Sequence, residues 1–104
     1  MPIPTALSDI RSAIKHYRRM SFVYEHEAVV ADFYLLGQFR KTGAYVVWAW
    51  CHQPTEEWRL FRYSRIKELD QVGQIPSLRP DFDPHPLDLA TIDTQAYPVR
   101  RRDN

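Results

Sequence analysis

Arg59, Arg62 and Arg65 recur at every third position of a run that also holds Trp58, Leu60, Phe61 and Tyr63. A guanidinium is permanently charged and planar. It binds a phosphate or carboxylate through two parallel N–H donors and stacks on aromatic faces. Arginines interleaved with aromatics therefore have two readings. They hold an anion, or they pair with acids such as Glu56, Glu57, Glu68 or Asp70 and tie the fold together. Tyr24, Tyr45 and Trp48 add rings of the kind on which bases stack, a contact worth roughly 1–3 kcal/mol per base. Such rings also serve as ordinary core. Tyr24 precedes a polar stretch, so its hydroxyl is expected at the mouth of any pocket.

The other reactive side chains do not converge in sequence. His16, His26, His52 and His85 fall in four separate segments. Cys51 and His52 are adjacent, so on a strand they point to opposite faces. Cys51 is expected to be a buried, inert thiol. Asp81, Asp83 and His85 alternate in a proline-rich stretch, where turn chemistry outweighs metal ligation. The three glycines, Gly37, Gly43 and Gly73, fit no phosphate-cradling loop. No catalytic residue, metal or cofactor is assigned, and no enzyme is expected.

These residues sit in a chain of 104, enough for one hydrophobic core. Hydrophobic residues make up 44% and aromatics 13%, which supports a packed domain. The formal net charge of +1 supplies no global basic field, so an anion site must come from local clustering. A single cysteine excludes an internal disulfide and fits a reducing compartment. No apolar run approaches the roughly 18 residues of a membrane span. The opening MPIPTALSD does not read as a signal peptide. A cytoplasmic location is expected.

Leu7, Ile10, Ala13, Ile14 and Tyr17 share one face at helical spacing, so an amphipathic helix is expected over 5–19, N-capped by Thr5. Its late cations, Lys15, Arg18 and Arg19, suit the helix dipole. Strands follow at 20–27, 28–39, 44–51 and 58–63, with a short fifth at 66–72. Gly37 marks a bulge or bend, and 40–43 a hairpin turn. The third strand is apolar on both faces: Tyr45, Val47, Ala49 and Cys51 on one, Val46, Trp48 and Trp50 on the other. It is expected to be central, covered outside by the helix or by a partner chain. Five short antiparallel strands after one helix imply a small bent barrel. The chain divides into the helix and barrel, 1–75, and a Pro-rich extended tail, 76–104, packing on or near the barrel. Leu87, Leu89 and Ile92 would pin that tail, ending in the basic Arg100–Arg102.

The chain resembles the WYL domain family. The family's signature strand corresponds to Gly43-Ala44-Tyr45-Val46-Val47 followed by Trp48-Ala49-Trp50. Its Arg-x-Phe-Arg-Leu-Asp-Arg-Ile run corresponds to Arg59-Leu60-Phe61-Arg62-Tyr63-Ser64-Arg65-Ile66. The segments Arg18–Tyr24 and Arg79–Pro84 are similar too, and the resemblance covers roughly 10–85. Here the naming triplet reads Tyr-Val-Val, and Ser64 stands where the family carries an aspartate. The resemblance implies an Sm-like (SH3-like) β-barrel that senses a ligand in bacterial transcription or defence regulation. The implied ligand is a single-stranded nucleic-acid fragment or nucleotide, held at Tyr24, Tyr45, Arg59, Arg62, Ser64 and Arg65. Many members dimerise, and most carry an N-terminal winged helix, of which this chain shows none. A homodimer, or a partner protein bearing the DNA-binding part, is the implied assembly. The alternative is a homodimerising or partner-binding domain without a ligand of its own.

Overall fold

The computed structural model of the chain describes residues 5–83 and 88–96. One helix, α1 (Leu7–Lys15), precedes β1 (Arg18–Tyr24), β2 (Glu27–Phe39), β3 (Tyr45–Gln53), β4 (Glu57–Arg62), a 3₁₀ turn (Tyr63–Arg65), β5 (Ile66–Gln74) and β6 (Leu89–Gln95). All pairings are antiparallel and run β4-β3-β2-β1-β5, with β6 also on β2.

Ile10, Ala13 and Ile14 form the buried stripe of α1, as the spacing predicts. Burying an isoleucine is worth roughly 2–3 kcal/mol. The helix is shorter than 5–19 because Tyr17 adopts φ 54, which ends it and starts β1 at Arg18. Arg18 and Arg19 therefore belong to a strand. Thr5 does not cap: the N-cap residue is Ala6, without a side-chain bond, and Thr5 Oγ1 is buried and unpartnered.

The long β2 is the spine. Its first half pairs with β1 (Arg19↔Asp32 to Tyr24↔Glu27), and its second half pairs on that side with β6 (Leu35↔Gln95 to Phe39↔Leu89). Its other side pairs with β3. Gly37 lies where β6 comes closest: a Cβ there would sit 2.8 Å from the Thr91 carbonyl oxygen. The β2–β3 hairpin turns at 40–43, with Gly43 at φ +70.

The core takes Met20, Phe22, Ala31, Phe33, Val47, Ala49, Cys51, Phe61 and Ile66 from the strands and Ile10 and Ile14 from α1. Cys51 is buried and its thiol donates to the Gln53 carbonyl at 3.1 Å. The helix, which packs on β1, β2 and β6, does not cover the outer face of β3. The segment 75–83 does so. Phe82 packs on Tyr34 and Trp58, and the Arg79 guanidinium lies 3.6 Å from the Trp50 ring centroid. The Arg79 backbone N–H donates to the buried Tyr34 hydroxyl at 2.8 Å.

Two expectations for the tail need correction. A sixth strand exists, because the prolines cluster before Leu89 and leave Leu89–Gln95 free to hydrogen-bond. Thr94 and Ala96, not Ile92, anchor it; Ile92 is 48% exposed. Leu87, His85 and the Arg100–Arg102 tail lie outside the described residues.

Candidate functional site

The three arginines end up in unequal surroundings. Arg59 shares the inward face of β4 with Phe61; its guanidinium lies 4.9 Å from that ring centroid, and Nη1 donates to Glu27 at 3.1 Å. Arg65, on the 3₁₀ turn, pairs with Glu25. Arg62 is exposed on the opposite face of β4, and no carboxylate pairs with it among the described residues.

The acids suggested by sequence proximity are not the ones used. The Tyr24↔Ile66 register brings the β1–β2 turn to the end of β4, so Glu25 and Glu27 supply the partners. That turn is strained, with Glu25 at φ 50 and His26 at φ 70. Side chains other than Gly, Asn or Asp are disfavoured there.

Tyr24 meets Phe61 edge-on at 4.9 Å, and its hydroxyl accepts the Arg62 backbone N–H at 3.0 Å. The tyrosine thus ties β1 to the end of β4. Ser64 and Arg65 line a surface depression of about 330 Å³ with Val23, Glu25, His26, Lys67 and Glu68. Tyr45 does not line this depression. Its ring contacts Tyr63 at 6.2 Å, and the Tyr63 hydroxyl donates to the Thr5 carbonyl ahead of α1.

A second polar cluster was missed by sequence reasoning. Asp32 is 3% exposed, in the middle of the apolar β2. Arg19 Nε donates to Oδ1 at 2.8 Å and Nη2 to Oδ2 at 3.3 Å, while His52 Nε2 lies 2.9 Å from Oδ2. The Asp32 carboxylate raises the pKa of the Arg19 guanidinium. Arg19, Asp32 and Trp50 sit opposite one another across β1, β2 and β3. With Tyr34, His52 and 76–80 they line a cavity of about 300 Å³. Burial pushes the Tyr34 hydroxyl pKa up, and Arg79 lowers that of Asp81, with which it pairs at 2.9 Å. A signal for this cluster was present: a lone acid inside an apolar strand needs a buried partner. The partner's identity required the register.

No metal-ligating group of three or more His, Cys, Asp or Glu is found among the described residues. Asp81 serves Arg79 and Trp58 Nε1 instead.

A family model for the WYL domain matches residues 5–71, more than half of the chain. The chain belongs to the WYL domain family. WYL domains are regulatory, ligand-sensing modules, and the match includes all six residues singled out from the sequence. It stops inside β5, so the segment that covers the tryptophans, and β6, lie beyond it. No curated protein and no solved structure matches the chain. No described helix is long and apolar enough to cross a membrane.

Proposed function

We propose that this WYL domain is a regulatory module in transcription or defence that senses an anionic ligand, a nucleic-acid fragment or nucleotide, through the end of β4 and the 3₁₀ turn. The observation that carries this reading is Arg62, an exposed guanidinium without a carboxylate partner among the described residues. Arg65 and Arg59 flank it with exposed acids as partners. Such pairs contribute only about 0–1 kcal/mol, so a phosphate can displace Glu25 or Glu27 at small cost. Ser64 supplies a hydroxyl beside Arg65, and Tyr24 anchors the strand that presents Arg62. Tyr45 shapes the same end of the sheet through Tyr63. An Sm-like barrel fits the strand order β4-β3-β2-β1-β5, whose two terminal strands are joined by only the 3₁₀ turn.

Fluorescence anisotropy with short single-stranded DNA and RNA across a salt series tests this. Three phosphate contacts give a log–log slope of about −2, each contact contributing about −0.7. Arg62→Ala is expected to weaken binding and make the slope shallower by about 0.7. No binding at low salt, or unchanged binding by Arg62→Ala combined with Arg65→Ala, rejects the nucleic-acid reading.

A further inference from the structure

The charged groups around the Asp32 cavity leave donors unused. The Asp32 carboxylate is occupied on both oxygens by Arg19, and on Oδ2 also by His52. Arg79 gives Nε and Nη2 to Asp81. Among the charged groups, Nη1 of Arg19 and Nη1 of Arg79 have no partner among the described residues, and both arginines line the cavity. These two unused groups are cationic donors, and the group that completes them is an acceptor, best an anionic one.

The two cations are held differently. Arg19 is locked against a carboxylate only 5% exposed. Arg79 is paired with Asp81, which is half exposed, and it rides on Trp50. An exposed pair exchanges its partner at little cost, so Arg79 is the free hand and Arg19 the fixed one. A buried ion pair is a poor device for stability alone, since desolvation offsets most of its attraction. Its place at the floor of a cavity suits a fixed charge for a ligand.

A second cavity, of about 510 Å³, shares Pro76, Ser77, Leu78, Arg79 and Pro80 with the first and adds Tyr17 and Ile75. Its wall is mainly apolar. One polar and one apolar compartment therefore lie along the same stretch of chain, and both fall within the usual size range of small-molecule sites, about 300–1,000 Å³. Along that stretch Ile75 N–H donates to the Tyr17 carbonyl and Arg79 N–H to Tyr34, while Pro76 and Pro80 have no donor to give.

We propose that the cleft along 75–80 is a second ligand site, for a small organic acid whose carboxylate bridges Arg19 and Arg79 and whose apolar body lies against Tyr17, Ile75 and Leu78. It uses none of Tyr24, Arg59, Arg62 or Arg65, so it stands or falls separately from the nucleic-acid reading.

The experiment titrates the full-length protein, as ¹⁵N-labelled material, with benzoate and octanoate and with their neutral amides. The acids are expected to give saturable amide and indole shifts centred on Trp50, Tyr34 and 75–80, with roughly millimolar affinity for ligands this small. The amides are expected to bind about tenfold more weakly or not at all. Arg79→Ala should erase the preference for acid over amide, and Arg62→Ala should leave it intact. Saturation elsewhere on the surface, equal affinity for acid and amide, or no saturable shift up to roughly 10 mM overturns the proposal. The mapping on the unaltered protein decides even if Arg79→Ala does not fold.

Discussion

Arg62 and Asp32 are opposite cases of a charge in a small β domain. Arg62 is left in solvent with its charge unspent, whereas Asp32 is buried and answered by Arg19 and His52. Removing a buried carboxylate strands its partner, although Arg19 keeps 32% of its side-chain exposure and so recovers some hydration. Asp32→Ala is therefore expected to lower unfolding stability by about 2–4 kcal/mol in urea denaturation. Asp32→Asn, which keeps acceptor and shape, should cost about half of that. The arginine run was legible from type and spacing alone as a candidate anion site, though not the acids that pair with it. The Asp32 cluster was not, because Arg19, Asp32 and His52 come from three strands and only the register brings them together.

Strands β1 to β5 were legible from apolar content, turn residues and Gly43, but β1 runs Arg18–Tyr24 and not 20–27, because Glu25 and His26 take left-handed turn positions. The sixth was hidden by its own exposure, since an edge strand with Thr91, Ile92 and Asp93 in solvent lacks the alternation that marks a half-buried one. Its imprint on the sequence is instead Gly37, whose missing Cβ lets β6 approach β2. A methyl there meets the Thr91 backbone oxygen at 2.8 Å and Leu89 Cδ1 at 3.0 Å, so strand or side chain must move. Gly37→Ala is expected to cost about 1–3 kcal/mol. Hydrogen exchange should rise in 89–95 and stay unchanged in β3 and β4. Equal loss of protection in every strand would show that β6 is not the element displaced.

At the scale of the whole molecule, the first helix and the last strand are clasped. Arg11 donates through Nε and Nη2 to both oxygens of Asp93, and Thr94 adds a hydroxyl. These bonds hold the Asp93 pKa at about 2, below its ordinary 3.8. A carboxyl with a lowered folded-state pKa stabilises the fold fully above its unfolded value and loses that contribution as pH falls through its folded value. Asp93→Asn is accordingly expected to be less stable than the unaltered protein by a constant gap above about pH 5, with the gap closing between about pH 4 and 2. Solvent screening keeps that gap to about 1 kcal/mol or less. A gap that persists at pH 2 would mean the clasp acts through shape and not through charge.

The β1–β2 turn sets two aims against each other. Glu25 and His26 occupy left-handed positions that an Asn-Gly pair fills without strain, and Glu25 also neutralises Arg65. Replacing Glu25 and His26 by Asn and Gly is expected to raise the melting temperature and, by releasing Arg65 from its internal competitor, to tighten the binding of phosphate-bearing ligands. Gains in both measurements from one double substitution would mark the native turn as a brake that keeps affinity within a reversible range.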